Sequence, residues 1–147
     1  MSCTFEPGNR GQYATERGMP VKVLIVDDHE IVREGISQLI ARSRPEWLIC
    51  GQASNGEQAI ELVQSLLPDV VVLDISMPKV NGLQVAAKIA EMRLRCRVLM
   101  FTMHESERLA RDVQAAGAQG VVLKSQAARD LIRAMDHLLA GETFFGP

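Results

Sequence analysis

A doubly wound α/β fold, built on a five-stranded parallel sheet of order 2-1-3-4-5, is the class this sequence predicts. Three observations predict it. Five short apolar runs recur between residues 21 and 123. A segment with apolar residues at helical spacing, or with helix punctuation, follows each run. Several runs are almost wholly apolar, as expected of strands covered on both faces of a parallel sheet. Short connections and strict alternation then imply right-handed crossovers.

The elements follow in order. Residues 1–19 read as a disordered tail: the first 18 hold only five apolar residues, among Pro7, Gly8, Gly11 and Gly18, too few for a core face. Met19 resembles an alternative start. The first strand is expected over 21–26, followed by a helix carrying Val32, Ile36, Leu39 and Ile40 at i, i+4, i+7 and i+8. The second strand, 48–53, leads to a helix with Ala59, Leu62, Val63 and Leu66 on one stripe; Asn55 caps it and Pro68 stops it. A third strand over 70–73 precedes a helix capped by Asn81, and a fourth over 98–101 precedes a helix ended by Gly117. The last strand, 120–123, leads to a stripe of Ala128, Leu131, Ile132, Met135, Leu138 and Leu139. One domain over 20–141 results, and residues 142–147, with Phe144, Phe145 and Pro147, read as the start of a linker.

The chain of 147 residues, 47% apolar, can bury a core without disulfides or a structural metal. No apolar run exceeds four residues, far short of the about twenty a membrane span requires. Sixteen basic against 18 acidic residues leave a net charge of −2, which gives no basic excess for nucleic acid. Arg93, Arg95 and Arg97 read as a solvated loop. Cys3, Cys50 and Cys96 form neither a CxxC nor a pattern with His, so they read as idle thiols of a reducing compartment. No apolar signal core opens the chain. The cytoplasm is the expected location.

The strand ends carry the chemistry. The apolar runs terminate in Asp27 and Asp28, in Asp74, in Thr102 and in Lys124. In a parallel sheet these ends share the carboxyl edge, where open α/β sheets bind ligands. First and third strands are neighbours in this order, roughly 4.8 Å apart, so Asp27, Asp28 and Asp74 crowd together. Crowded carboxylates take up a proton or share a cation. With hard oxygen donors and no Cys or His set, Mg²⁺ is the fitting ion. Lys124 opposite would neutralise phosphoryl oxygens around an Asp nucleophile. Neither GxxxxGK[ST] nor GxGxxG occurs, so no nucleotide cofactor is expected. Asp28 is also a possible N-cap, and His29 is placed in the first helical turn rather than on a metal.

The set Asp27-Asp28, Asp74-Ile75-Ser76-Met77-Pro78 with Gly82, Thr102 and Lys124 resembles the flavodoxin-like (βα)5 receiver domain of two-component response regulators. The run from Val26 to Gly35, VDDHEIVREG, is most similar to receivers of LuxR-type (NarL-like) transcription regulators. The resemblance implies that Asp74 accepts a phosphoryl group from a sensor histidine kinase. It implies Mg²⁺ held by Asp28, Asp74 and the backbone carbonyl of Ser76, with Asp27 acting through metal-bound water. Thr102 and Lys124 would each engage a phosphoryl oxygen. The output would be a C-terminal helix-turn-helix domain, absent here, through which alone DNA is bound, with a homodimer favoured by phosphorylation. The resemblance implies a signal acceptor rather than an enzyme, one whose only catalysis would be of its own dephosphorylation. Two positions depart from the pattern: Val121 stands where the switch aromatic is often found, and Ser125 where proline often follows the lysine.

Two rival readings lack the motifs they need. A phosphatase of the haloacid-dehalogenase sort needs DxDx[TV] after the first strand, and Asp27-Asp28-His29-Glu30 does not supply it. A flavodoxin-like small-molecule binder with a cobalamin-type DxHxxG pattern needs Gly where Val32 stands.

Overall fold

A computed structural model describes residues 19–145. The expected tail, apart from Met19, lies outside the described residues, as do Cys3 and Pro147. The elements run β1 (Lys22–Val26), α1 (Glu30–Ser43), β2 (Leu48–Ala53), α2 (Gly56–Leu66), β3 (Val70–Asp74) and α3 (Gly82–Glu91). Then come β4 (Arg97–Thr102), α4 (Glu107–Ala115), β5 (Gly120–Leu123), a 3₁₀ turn over Lys124–Gln126, and α5 (Ala127–Leu139). All pairings are parallel, in the order β2-β1-β3-β4-β5.

Alternation along each strand explains why the runs are apolar throughout. Leu24, Val26, Val71, Leu73, Val98, Met100 and Val121 face a core shared with α2, α3 and α4. Val23, Ile25, Val70, Val72, Leu99, Phe101 and Val122 face the opposite core, shared with α1 and α5. Both faces are covered, so no position on a central strand is left for a polar residue except at its end. β3 and β4 each run one residue further than the apolar pattern indicates. Asp74 and Thr102 are thus the terminal residues of paired strands, in register with Phe101 and Leu123.

The caps read from sequence are in place. Asn55 accepts the Gln58 N–H at 2.8 Å, and Asn81 and Gln84 form a reciprocal capping box. Leu67, φ 49°, closes α2 before Pro68, and Gly117, φ 91°, lies just past α4. At α1 the outcome differs: His29 occupies the N-cap and no side chain caps the helix, so Asp28 is not its cap. In α5, Ala128 is exposed and Ala127 packs in its place. The peptide bond at Ser125 is trans, like every described one.

Cys50 and Cys96 are both free thiols; burial pushes Cys96 up to about 12, so it is inert at neutral pH. Arg97, assigned to a loop from sequence, is the first residue of β4. No helix among the described residues is long and apolar enough to cross a membrane.

Packing continues beyond residue 141. Phe144 is buried, its N–H donates to the Gln119 carbonyl at 3.0 Å, and its own carbonyl accepts the Val121 N–H at 2.8 Å. This bridge lies along the free edge of β5, opposite Gly120. Glycine is required there, since a Cβ would stand 2.8 Å from the Phe144 carbonyl oxygen. The Arg133 guanidinium and the His137 ring pack against the Phe144 ring from α5.

Candidate functional site

The loops after β1, β3, β4 and β5 bring the polar strand ends to one crevice. Asp27 follows β1 directly, and its side chain is 1% exposed. Its Oδ1 accepts the His29 backbone N–H at 2.9 Å, and its carbonyl accepts from Arg33 Nη1 at 2.6 Å. Asp74 ends β3, equally buried, with Oδ1 accepting the Ser76 N–H at 3.1 Å. The turn that sets this geometry depends on Gly82, whose N–H donates to Ile75 at 2.9 Å. A Cβ on Gly82 would lie 2.4 Å from the Asp74 carbonyl oxygen, so only glycine lets α3 start this close to β3.

Lys124 spans the two buried acids. Its Nζ is 3.0 Å from Asp27 Oδ2 and 3.2 Å from Asp74 Oδ1, and 5.8 Å from the centre of the Phe101 ring. One ammonium thus faces two buried carboxylates. Burial, and then the charge of Asp27, raise the Asp74 carboxyl above its ordinary range, against the opposing pull of Lys124. Burial depresses the Lys124 ammonium, but the hydrogen bond it donates to Asp27 and the Asp74 charge outweigh this and hold it above the usual lysine value.

The crevice suits a divalent cation. Asp27, Asp28, His29 and Asp74 each present one ligand atom, all within 4.8 Å of one another. Asp74 Oδ2 is buried with no hydrogen-bond partner among the described residues, an unfavourable state that a cation would relieve. Carboxylate oxygens of this kind are hard donors.

Of the residues expected from sequence, Asp27, Asp28, Asp74 and Lys124 converge as charged groups, and Ser76 joins through its N–H. Thr102 stands at the same edge, but its hydroxyl bonds within its own loop, to His104. His29, expected in the first helical turn, is the N-cap residue of α1, and its Nδ1 lies 3.1 Å from Asp27 Oδ1 and 2.9 Å from Asp28 Oδ1. Its position directly after the acidic pair is the signal that could have found it.

Comparison with known proteins agrees with this geometry. The family model for the response regulator receiver domain matches residues 23–136. The nitrate/nitrite response regulator NarL of Escherichia coli (strain K12) is 40% identical over 123 residues, covering 84% of this chain and 56% of that protein. DegU of Brevibacillus brevis, a transcriptional regulatory protein, is 34% identical over 86% of this chain and 53% of its own length. The chain therefore spans about half the length of these curated relatives. Among solved structures, a LuxR-family two-component response regulator from Aurantimonas sp. SI85-9A1 superposes with a TM-score of 0.82 at 35% identity, covering 87% of this chain and 91% of that one. The signal receiver domain of a response regulator NarL from Mycobacterium tuberculosis gives 0.79 at 32% identity, covering 84% and 98%. With its 2-1-3-4-5 sheet, its acidic crevice and these matches, the chain belongs to the response regulator receiver domain family, among receivers of the NarL/LuxR type.

Proposed function

We propose that Asp74 is the phosphoryl acceptor of this receiver and that a sensor histidine kinase is the donor. The observation that carries the reading is the state of its carboxylate: Oδ1 is held by Lys124 and the Ser76 N–H, while Oδ2 is buried and unpartnered. Phosphoryl transfer needs positioning and charge neutralisation more than covalent help from the protein. Asp28, Asp74 and the Ser76 carbonyl are the residues that would hold Mg²⁺, with Asp27 acting through its water. Bound there, the ion would neutralise charge on the acceptor and on the incoming phosphoryl oxygens.

The chain's own groups do the rest. Lys124 pairs with a phosphoryl oxygen as Asp74 loses its free charge. Thr102 leaves His104 to hydrogen-bond another, drawing in the loop ahead of α4. With Val121 buried in place of an aromatic, this change is transmitted by backbone and helix displacement, not by ring burial. Ser76 and His104 flank the acceptor and govern access of water, and hence self-dephosphorylation. The receiver unit runs from residue 20 through Phe144, beyond the boundary at 141 read from sequence. Output lies with a helix-turn-helix domain of the full regulator, which binds DNA as a dimer favoured by phosphorylation.

Intact mass after incubation with a small phosphodonor tests the acceptor. Wild type gains one phosphoryl mass when Mg²⁺ is present and none in chelator. Asp74→Asn gains none; full incorporation in that variant would overturn the assignment.

A further inference from the structure

Three potential ligand atoms meet at the mouth of the crevice: Asp27 Oδ1, Asp28 Oδ1 and His29 Nδ1. The imidazole nitrogen is 3.1 Å from the first and 2.9 Å from the second. The ring is held there by backbone geometry, because the His29 N–H donates to the same Asp27 Oδ1 at 2.9 Å. Its side chain is 64% exposed, so it rims the crevice and does not plug it. Asp74 lies within the same group and brings the buried, unpartnered Oδ2. With its proton on Nε2, the ring turns a nitrogen lone pair toward the carboxylates.

We infer that His29 is a ligand of the metal site and makes it a mixed nitrogen–oxygen centre, one that takes borderline transition-metal dications more tightly than Mg²⁺. This rests on the reading that the acidic crevice binds a divalent cation, and adds to it the identity of the ion. The chemical reason is donor softness. Carboxylates and carbonyls suit Mg²⁺, whereas imidazole nitrogen adds affinity for cobalt, nickel and zinc, which hold nitrogen better than Mg²⁺ does. A single imidazole beside two or three carboxylates leaves open positions on the exposed side for water or a phosphoryl oxygen. Asp28 serves either kind of ion, but His29 serves only the borderline one.

Calorimetric titration of the whole chain with Mg²⁺ and, separately, with Co²⁺ tests this, with the Co²⁺ d–d absorption as a second readout. His29→Ala and His29→Gln are compared with wild type, the Gln variant keeping a polar side chain at the helix N-cap. Both should weaken Co²⁺ by about tenfold or more and alter its absorption, with Mg²⁺ affinity within about twofold of wild type. Asp28→Ala should weaken both ions. The inference is overturned if both His29 variants change the two ions by the same factor or leave both unchanged. It is also overturned if both ions bind more tightly, because the ring then merely competes with the cation. Wild type that binds neither ion would instead bring down the cation site itself, and the inference with it.

Discussion

The Thr102 hydroxyl donates to the His104 carbonyl oxygen at 3.0 Å and accepts the His104 N–H at 3.3 Å, closing a small ring within the loop after β4. The group expected to grip a phosphoryl oxygen is therefore engaged elsewhere in this state. If Thr102 takes the role proposed for it, switching would break that ring, and the phosphoryl group would have to bind the released hydroxyl better than His104 does.

Thr102→Ala removes both sides of this exchange. Phosphate incorporation at Asp74 should persist, since acceptor and counter-charge remain. Backbone amide shifts over residues 103–106 should then stop responding to phosphorylation, and Thr102→Ser should restore the response. An undiminished response in Thr102→Ala would remove Thr102 from the switch.

The raised Asp74 carboxyl has a consequence for stability. A folded-state acid above its unfolded value contributes stability below the unfolded value, and that stability is lost as pH rises through the folded one. Charged Asp74 thus destabilises the metal-free protein at neutral pH. Asp74→Asn should raise Tm in chelator at pH 7, by about 2–4 °C for each kcal/mol relieved. Thermal melts from about pH 4 to 8 should show the gain shrinking toward acid. A gain independent of pH would mean that charge is not its cause.

Lys124→Met exposes the opposite imbalance. It keeps the length of the side chain but leaves Asp27 and Asp74 without their ammonium, at a cost of roughly 3 kcal/mol. Because the Lys124 value is raised, the wild-type advantage holds below the unfolded lysine value and is lost as pH rises through the folded one. Urea unfolding should show a smaller deficit in Mg²⁺ than in chelator. Equal deficits in both would contradict the shared-charge account.

Ser76 and His104 each lie two residues past a strand-end group, Asp74 and Thr102, and both are exposed. Exchanging either for a bulkier residue should change the phosphoryl decay rate severalfold while incorporation continues. Decay curves that superpose on wild type for both variants would refute the role.

The strands were legible because their apolar runs are bounded by abrupt polar residues, and the caps because Asn55 and Asn81 stand just ahead of apolar stripes. The converging charges were legible too, as each follows a strand whose place in the sheet the alternation implies. What escaped the sequence depends on contacts between distant segments. Arg97 pairs into β4 although it is charged, because its strand neighbour begins at Val70. His29 faces the acids because α1 starts one residue later than Asp28 capping would require. Phe144 looks like linker until Gly120 is seen to leave room for its backbone.

That last contact bears on aggregation. A sheet with open edges offers unpaired N–H and C=O groups to other molecules. Here the segment around Phe144 occupies part of the β5 edge, shielding the Val121 N–H and the Gln119 carbonyl as a strand of a neighbouring molecule otherwise could. A chain cut at residue 141 should keep its crevice yet expose that edge, losing roughly 3 kcal/mol with the buried ring. Light scattering on warming should then report strand-to-strand association of a kind the longer chain resists.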